Sequence, residues 1–303
     1  MPALFSNLQH SGQSNENAWG KHMTATEFRD AARPPSERGE RHTLHVGQDE
    51  REIAVRLSPP ASAHAPGLQW LGGWRSDMMG SKALTLDALA RAHGWSCLRH
   101  DYSGHGESAG DLRDGTISRW TEESLAVLDA YGEQRAHLLC GSSMGAWVAL
   151  RMALALKAAG RLDEVVGLLL IAPAPDFVTR LQEPRLTQAD RQSLDQRGFW
   201  EEHSHYSDEP NIWTRDFMED GRDTAVLNGP LSLGVPVHII QGKADNEVPL
   251  SHAETLLAHL PDDEATMSVV RGGDHRLSRD EDLALIRQSA VAMIERWMAR
   301  PSD

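Results

Sequence analysis

The segment that most constrains this chain is a serine between two glycines, directly between an apolar strand-like run and an apolar helix-like run. Gly141, Ser143 and Gly145 form a G-x-S-x-G pattern, with residues 138–140 before it and residues 146–150 after it. A turn this sharp needs glycines, because neighbouring backbone must pass close to it. The pattern predicts that Ser143 is presented at the N-terminus of a helix. The alternative interpretation is a serine that only caps that helix.

Around this turn, short apolar runs alternate with helix-length amphipathic segments, which is typical of a parallel sheet flanked by helices. The first three runs lie too close together for crossover helices, so the second strand should run antiparallel. The last helix carries one apolar stripe, which should face the sheet. We therefore predict an α/β fold with an eight-stranded, mostly parallel sheet. The predicted strands are 41–46, 51–57, 67–72, 95–101, 136–140, 165–172, 236–241 and 265–270.

Two further residues complete a candidate catalytic set with Ser143. A serine hydroxyl is a weak nucleophile, so it needs a base and a carboxylate that fixes the tautomer of that base, in the chain order serine, carboxylate, histidine. Asp245 follows the seventh strand in a D-x-x-V-P loop, with Glu247 as the alternative acid. His275 is the one histidine of fifteen between the last strand and the last helix. We predict Asp245 as the acid and His275 as the base; the competing interpretations are a helix-capping aspartate and a surface histidine.

Acyl transfer also needs N–H groups aimed at the negative charge that develops on the substrate oxygen. The third predicted strand ends at a glycine pair, residues 72 and 73, after which the backbone N–H of Trp74 can point inward. The second predicted donor is the backbone N–H of Met144, directly after Ser143. The alternative interpretation of the glycine pair is an ordinary turn.

A long segment between the sixth and seventh predicted strands lies outside the regular alternation. Residues 174–233 are too many for an ordinary connection and place Trp213 among charged residues. We predict that they form a cap over the candidate site, within a catalytic domain of residues 41–303. Met78 and Trp147 are the candidate residues of an apolar acyl pocket, although such residues near a core are also typical of simple packing.

The pattern resembles the α/β-hydrolase superfamily over residues 41–300. More narrowly, residues 73–83 (GWRSDMMGSKA), residues 101–108 (DYSGHGES) and the serine turn are similar to one branch. That branch contains the depalmitoylating acyl-protein thioesterase and acyl-glucuronide esterase of animals, with bacterial relatives. The resemblance implies that the first stretch supplies an oxyanion N–H, which maps onto Trp74, and that residues 212–222 belong to the cap.

Composition argues against several other classes of protein. The net charge of −14, without a Lys/Arg-rich run, disfavours a nucleic-acid partner. Cys97 and Cys140 lie in apolar runs, which disfavours a disulfide framework and favours a cytoplasmic location. Residues 1–40 are polar and aperiodic, predicting a flexible tail. Because no run approaches the roughly 18 apolar residues of a membrane span, we predict no stable membrane insertion.

The predicted chemistry is hydrolysis of a carboxylic ester or thioester through an acyl-enzyme, on a small-molecule or acylated-thiol substrate and without any cofactor. No metal site is predicted, because His203 and His205 lack accompanying ligands. Rival activities on the same three residues are cofactor-free haloperoxidase, perhydrolase and peptidase chemistry. A catalytically silent ligand receptor is the rival from another class, although it should have lost one of the three. No oligomeric state is predicted.

Overall fold

A computed structural model of the chain describes residues 40–202, 210–260 and 264–300. Of the predicted tail, residues 1–39 lie outside the described residues, as do His203 and His205. The strands are β1 Glu40–Val46, β2 Arg51–Ser58, β3 Gly67–Leu71, β4 Ser96–His100, β5 His137–Ser142, β6 Val165–Ile171, β7 Phe199–Glu202, β8 Asn211–Thr214, β9 Val237–Gly242 and β10 Ala265–Val270. The α-helices are α1 Ser81–His93, α2 Ile117–Tyr131, α3 Met144–Ala158, α4 Gln188–Arg197, α5 Arg215–Asp223, α6 Leu250–Ala258 and α7 Asp280–Met298.

Eight strands form one sheet in the order β1-β2-β4-β3-β5-β6-β9-β10. Strand β2 runs antiparallel to β1 and to β4, and the other neighbours in this sheet pair in parallel. The prediction of an eight-stranded, mostly parallel sheet with an antiparallel second strand is therefore confirmed. The largest difference in bounds is at β5, which was expected to end at residue 140 and ends at Ser142.

Helices cover both faces of the sheet. Helix α7 buries Ile286, Ala290 and Ile294 completely in the apolar layer that it shares with α1, as its stripe predicted. Helices α2, α3 and α6 cover the opposite face, where Trp120 and Trp147 are among the largest fully buried side chains. Across the described ranges, no helix combines the length and apolar character that a membrane span requires.

The long segment between β6 and β9 folds over one end of the sheet; we call residues 172–236 the insertion. It contains α4, α5 and a two-stranded antiparallel sheet of β7 and β8, which the sequence pattern did not predict. Its aromatic side chains pack on the loop after β3: the Trp213 ring stacks on Trp74 with centroids 4.3 Å apart, and the Phe217 ring lies 5.1 Å from Trp74. The insertion therefore lies beside the carboxyl ends of the parallel strands.

Close contact at the serine turn gives a prediction about stability. A β-carbon added at Gly145 would lie 2.1 Å from the carbonyl oxygen of Leu71 and 2.3 Å from that of Gly72. Both atoms are backbone, so the Gly145→Ala change must push α3 away from the end of β3. We expect a loss of at least about 3 kcal/mol in the free energy of unfolding, measured by urea titration.

The matched control is Gly229→Ala, because nothing lies within 4 Å of a β-carbon at Gly229. It should change the free energy of unfolding by less than about 1 kcal/mol. Equal stability of the two variants would contradict the packing of the serine turn against the loop after β3.

Candidate active site

Ser143 occupies a strained backbone position between β5 and α3. Its φ of 54° and ψ of −118° lie in a region that costs a residue with a side chain about 1–3 kcal/mol. Three backbone hydrogen bonds hold the turn: the N–H of Ser143 donates to Ile171 at 2.9 Å, and its carbonyl accepts from Ala146 at 3.0 Å and Ala174 at 3.2 Å. The strain is therefore offset by the end of β6 and the first turn of α3.

The structure brings Ser143, His275 and Asp245 into one hydrogen-bonded chain. Nδ1 of His275 lies 2.8 Å from Oδ2 of Asp245, and Nε2 of His275 lies 3.0 Å from Oγ of Ser143. Because a carboxylate only accepts, Nδ1–H donates to Asp245 and Nε2 is left to accept from the serine hydroxyl. Asp245 and His275 follow β9 and β10, which are parallel neighbours, so their loops leave the same edge of the sheet.

Asp245 is held as a carboxylate by its surroundings. Burial alone would raise its pKa, but the hydrogen bond and charge of His275 and the backbone N–H groups of Val248 and Glu247 lower that pKa below its ordinary value. Both N–H groups donate to Oδ1 at 2.9 Å. Oδ2 accepts from His275 and also from Nε2 of Gln241 at 3.1 Å. Asp245 is thus charged at neutral pH and fixed in orientation. The alternative acid, Glu247, is exposed.

The loop after β3 lies against Ser143. A β-carbon at Gly73 would lie 3.2 Å from the Ser142 carbonyl oxygen and 3.4 Å from the β-carbon of Ser143, so only a residue without a side chain fits there comfortably. Trp74 is inside a turn closed by the Ser76 N–H, which donates to the Gly73 carbonyl at 3.1 Å, and this turn does not use the N–H of Trp74. On the other side, Met144 is the first residue of α3 and has no acceptor within its helix.

Met78 and Trp147 do not lie where the sequence analysis expected them. Both are fully buried. The backbone N–H of Met78 donates to Asp101 at 2.6 Å, and the indole N–H of Trp147 donates to the Thr224 carbonyl at 3.2 Å. Neither residue lines the cavity beside Ser143, because both pack into the core behind the loops that carry the site.

A cavity of about 690 Å³ opens beside Ser143 and His275. Its apolar side chains include Trp74, Phe177, Leu181 and Trp213, and all but Trp74 belong to the insertion. Phe177 and Leu181 were not predicted as site residues, because Phe177 lies next to the irregular turn Val178–Gln182, Leu181 lies within it, and neither carries a periodic signal. Phe177 does lie in the segment that follows β6, and position after a parallel strand is the signal that could have identified it.

Three features define an α/β hydrolase. They are the strained serine after β5, the carboxylate and histidine after the last two parallel strands, and the covering insertion. Residues 60–288 match the Alpha/beta hydrolase family, and the chain belongs to that family.

Among solved structures, the chain is 51% identical to a predicted hydrolase from Agrobacterium vitis S4, with a TM-score of 0.82 over 84% of this chain and 99% of that one. It is 25% identical to alpha/beta hydrolase domain-containing protein 10 from mouse, with a TM-score of 0.75 over 85% of this chain and 99% of that one. The human palmitoyl-protein thioesterase ABHD10, mitochondrial, is 28% identical over 236 residues, which are 77% of this chain and 74% of the relative.

Proposed function

We propose that this protein hydrolyses carboxylic esters or thioesters through a covalent acyl-enzyme on Ser143. The observation that carries the proposal is the hydrogen-bonded chain from Ser143 through His275 to Asp245, with distances of 3.0 Å and 2.8 Å. A serine at a strained turn, a base within reach of its hydroxyl and a carboxylate that orients the base are the parts that acyl transfer requires.

The proposed reaction has two halves. Oγ of Ser143 bonds to the substrate carbonyl carbon while its proton passes to Nε2 of His275. The tetrahedral intermediate collapses, the bond to the leaving oxygen or sulfur breaks, and His275 returns the proton to that leaving group. Water then attacks the acyl-enzyme with His275 again as the base, which releases the acid and restores Ser143. Asp245 stabilises the imidazolium in both halves without taking the proton.

We assign the oxyanion hole to the backbone N–H groups of Trp74 and Met144. They come from the two segments that meet at Ser143, and neither is used by its own turn or helix. A Gly73→Ala variant tests this assignment, because its β-carbon must displace the Ser142 carbonyl or the Ser143 β-carbon by a few tenths of an ångström. We expect kcat to fall about tenfold to a hundredfold, with KM changed far less.

For Gly73→Ala, a thermal unfolding curve close to that of the wild type shows that the fold is intact. Loss of stability together with loss of activity would leave packing as the sufficient explanation. A stable variant with unchanged kcat would place the oxyanion donors elsewhere.

The acyl group, we infer, lies against the aromatic side chains of the insertion, and residues 174–233 act as a cap. Trp74 stacks on Trp213 with centroids 4.3 Å apart, and Phe177 lies 5.6 Å from Trp213, which gives one apolar wall. The relatives from animals are named palmitoyl-protein thioesterases, so an acylated thiol, whether on a small molecule or on a protein, is a substrate to test beside oxygen esters.

The test pairs labelling with turnover. The full chain is exposed to a fluorophosphonate probe, its intact mass is measured, and matched oxygen and sulfur esters of increasing acyl length are assayed. We expect one adduct and turnover of at least one series. An adduct together with turnover only of peptides, or only in the presence of peroxide, would support the rival hydrolytic or peroxide chemistry. The absence of both adduct and turnover from folded protein would support a silent receptor.

The cytoplasmic location remains a prediction. Cys97 and Cys140 are buried free thiols, as a reducing compartment permits. The animal relatives are named mitochondrial. Fractionation of the cells in which the full chain naturally occurs, with detection of the chain in each fraction, would therefore decide its location.

A further inference from the structure

The side chain of Lys82 connects two segments that line the cavity of the candidate site. Lys82 lies in the first turn of α1, and its Nζ donates to the carbonyl oxygen of Arg276 at 2.5 Å, although the two residues are 194 positions apart in the chain. Arg276 directly follows His275. A cation at this end of a helix is unfavourable with the helix dipole, and the first turn of α1 contains no acidic residue. Lys82 therefore brings no electrostatic benefit to α1 itself.

The loop that receives this hydrogen bond is strained. Leu277, two residues after His275, has a φ of 44°, which is costly for a residue with a branched side chain, and it is fully buried. Within the loop, a carboxylate oxygen of Asp274 accepts from the N–H groups of Arg276 and Leu277 at 3.1 Å each. Strained backbone persists only where its surroundings fix it. Lys82 adds a charged donor to this loop from the opposite wall of the cavity.

We propose that Lys82 is a positioning residue. Its hydrogen bond to the Arg276 carbonyl, the tie, connects the His275 loop to the segment that follows Trp74. The tie holds the base and the oxyanion donors at a fixed separation. The proposal rests on the proposed function for what His275 does, but the tie itself is a hydrogen bond from the Lys82 side chain to the backbone carbonyl of Arg276. Its strength depends on the charge of Lys82, because an ammonium is a stronger donor to a carbonyl than a neutral amine.

The charge of Lys82 changes within a pH range that can be measured. Partial burial and the nearby positive charge of Arg276 lower the pKa of Lys82 to about 8, while Asp274 and Asp282 act in the opposite direction. Below that pH Lys82 is protonated and the tie is complete. Above it the ammonium is lost and the tie weakens, so turnover should fall as the pH rises through this range.

The experiment compares wild type, Lys82→Met and Lys82→Arg on a neutral ester, p-nitrophenyl butyrate, from mildly acidic to alkaline pH. Lys82→Met should lower kcat at neutral pH by about tenfold to a hundredfold, with little change in KM, and should lack the alkaline fall of the wild type. Lys82→Arg should recover most of kcat and should also lack the fall, because its guanidinium stays charged. A purely structural role would not move the pH profile in this way.

The Arg276→Ala variant tests whether the alkaline fall in turnover follows the pKa of Lys82. It keeps the carbonyl that Lys82 binds but removes the neighbouring positive charge that lowers the pKa of Lys82. The alkaline fall of this variant should therefore begin at a higher pH than that of the wild type. An unchanged kcat and an unchanged alkaline fall in Lys82→Met would overturn the proposal. An effect on KM alone would instead make Lys82 a substrate contact.

A second readout does not depend on ester turnover. Amide hydrogen exchange of residues 272–278 should be at least about tenfold faster in Lys82→Met than in the wild type at neutral pH, the factor expected for one hydrogen bond from a charged group. Unchanged exchange there overturns the positioning role. If the wild type hydrolyses no ester while exchange still rises in the variant, the proposed function fails and the tie stands.

Discussion

Ser143→Ala should abolish hydrolysis, with kcat about 10⁵- to 10⁶-fold lower than that of the wild type, and should eliminate the fluorophosphonate adduct. The reason is that the acyl-enzyme forms on the oxygen of Ser143. A water molecule in the space left by that oxygen would not be fixed against His275 in the same way. Residual turnover should reflect only the oxyanion donors and binding. Stopped assays on the best ester of the acyl series measure the ratio, and intact mass measures the adduct.

The neighbouring serine provides the matched control. Ser142 ends β5, and Ser142→Ala removes an equal hydroxyl one residue from Ser143. It should keep the adduct and should keep kcat within about tenfold, because the hydrogen bonds of the His275 ring go to Asp245 and Ser143 and not to Ser142. If Ser142→Ala and Ser143→Ala lose activity equally, the hydroxyl at 143 is not the nucleophile and the proposed reaction is wrong.

The sheet was predictable because short stretches rich in Val, Ile and Leu, such as β6, recur along the chain between turns or amphipathic helices. β7 and β8 were missed for the opposite reason. Each has four residues, and β7 reads Phe-Trp-Glu-Glu, without alternation between apolar and polar side chains. Their structure comes from tertiary contacts, such as the indole N–H of Trp213 donating to Glu202 at 3.0 Å, which no local pattern encodes.

The positions of Ser143, Asp245 and His275 were predictable from chain order. Carboxyl ends of neighbouring parallel strands meet at one edge of a sheet, so residues just after β5, β9 and β10 converge whatever the connections between them. The mutual distances were not predictable. They depend on local features such as the left-handed φ of Leu277 and the hydrogen bonds to Oδ1 of Asp245.

The cavity wall was the part that sequence analysis placed incorrectly. Met78 and Trp147 were chosen for nearness to the glycine loop and to Ser143 along the chain, yet distance along a helix does not fix which face points at a cavity. Trp147 turns into the core, and Phe177 and Leu181 come from the insertion. The insertion contributes side chains from a part of the chain without regular periodicity, so no periodic pattern marks the ones that face the cavity.

Asp245→Asn should lower kcat about 10⁴-fold while the protein stays folded. The amide oxygen of the new side chain can keep the two N–H groups that donate to Oδ1. Its NH₂ must then occupy the place of Oδ2, where both His275 Nδ1–H and the Gln241 amide donate. The new NH₂ group would then face two other N–H donors, those of His275 and Gln241, with no acceptor among them. His275 therefore adopts the other tautomer and presents Nε2–H to Ser143. A protonated Nε2 cannot accept the serine proton, and nucleophilic attack fails.

Glu247→Gln is the control for Asp245→Asn, since Glu247 is the alternative acid, lies two residues away and is exposed. It should keep kcat within about threefold of the wild type. The two variants are compared by kcat on one ester and by the rate of fluorophosphonate labelling, which should fall only in Asp245→Asn because labelling uses the same base. A larger loss in Glu247→Gln would make Glu247 the acid, whereas a small loss in both would mean that His275 needs no carboxylate to hold its tautomer.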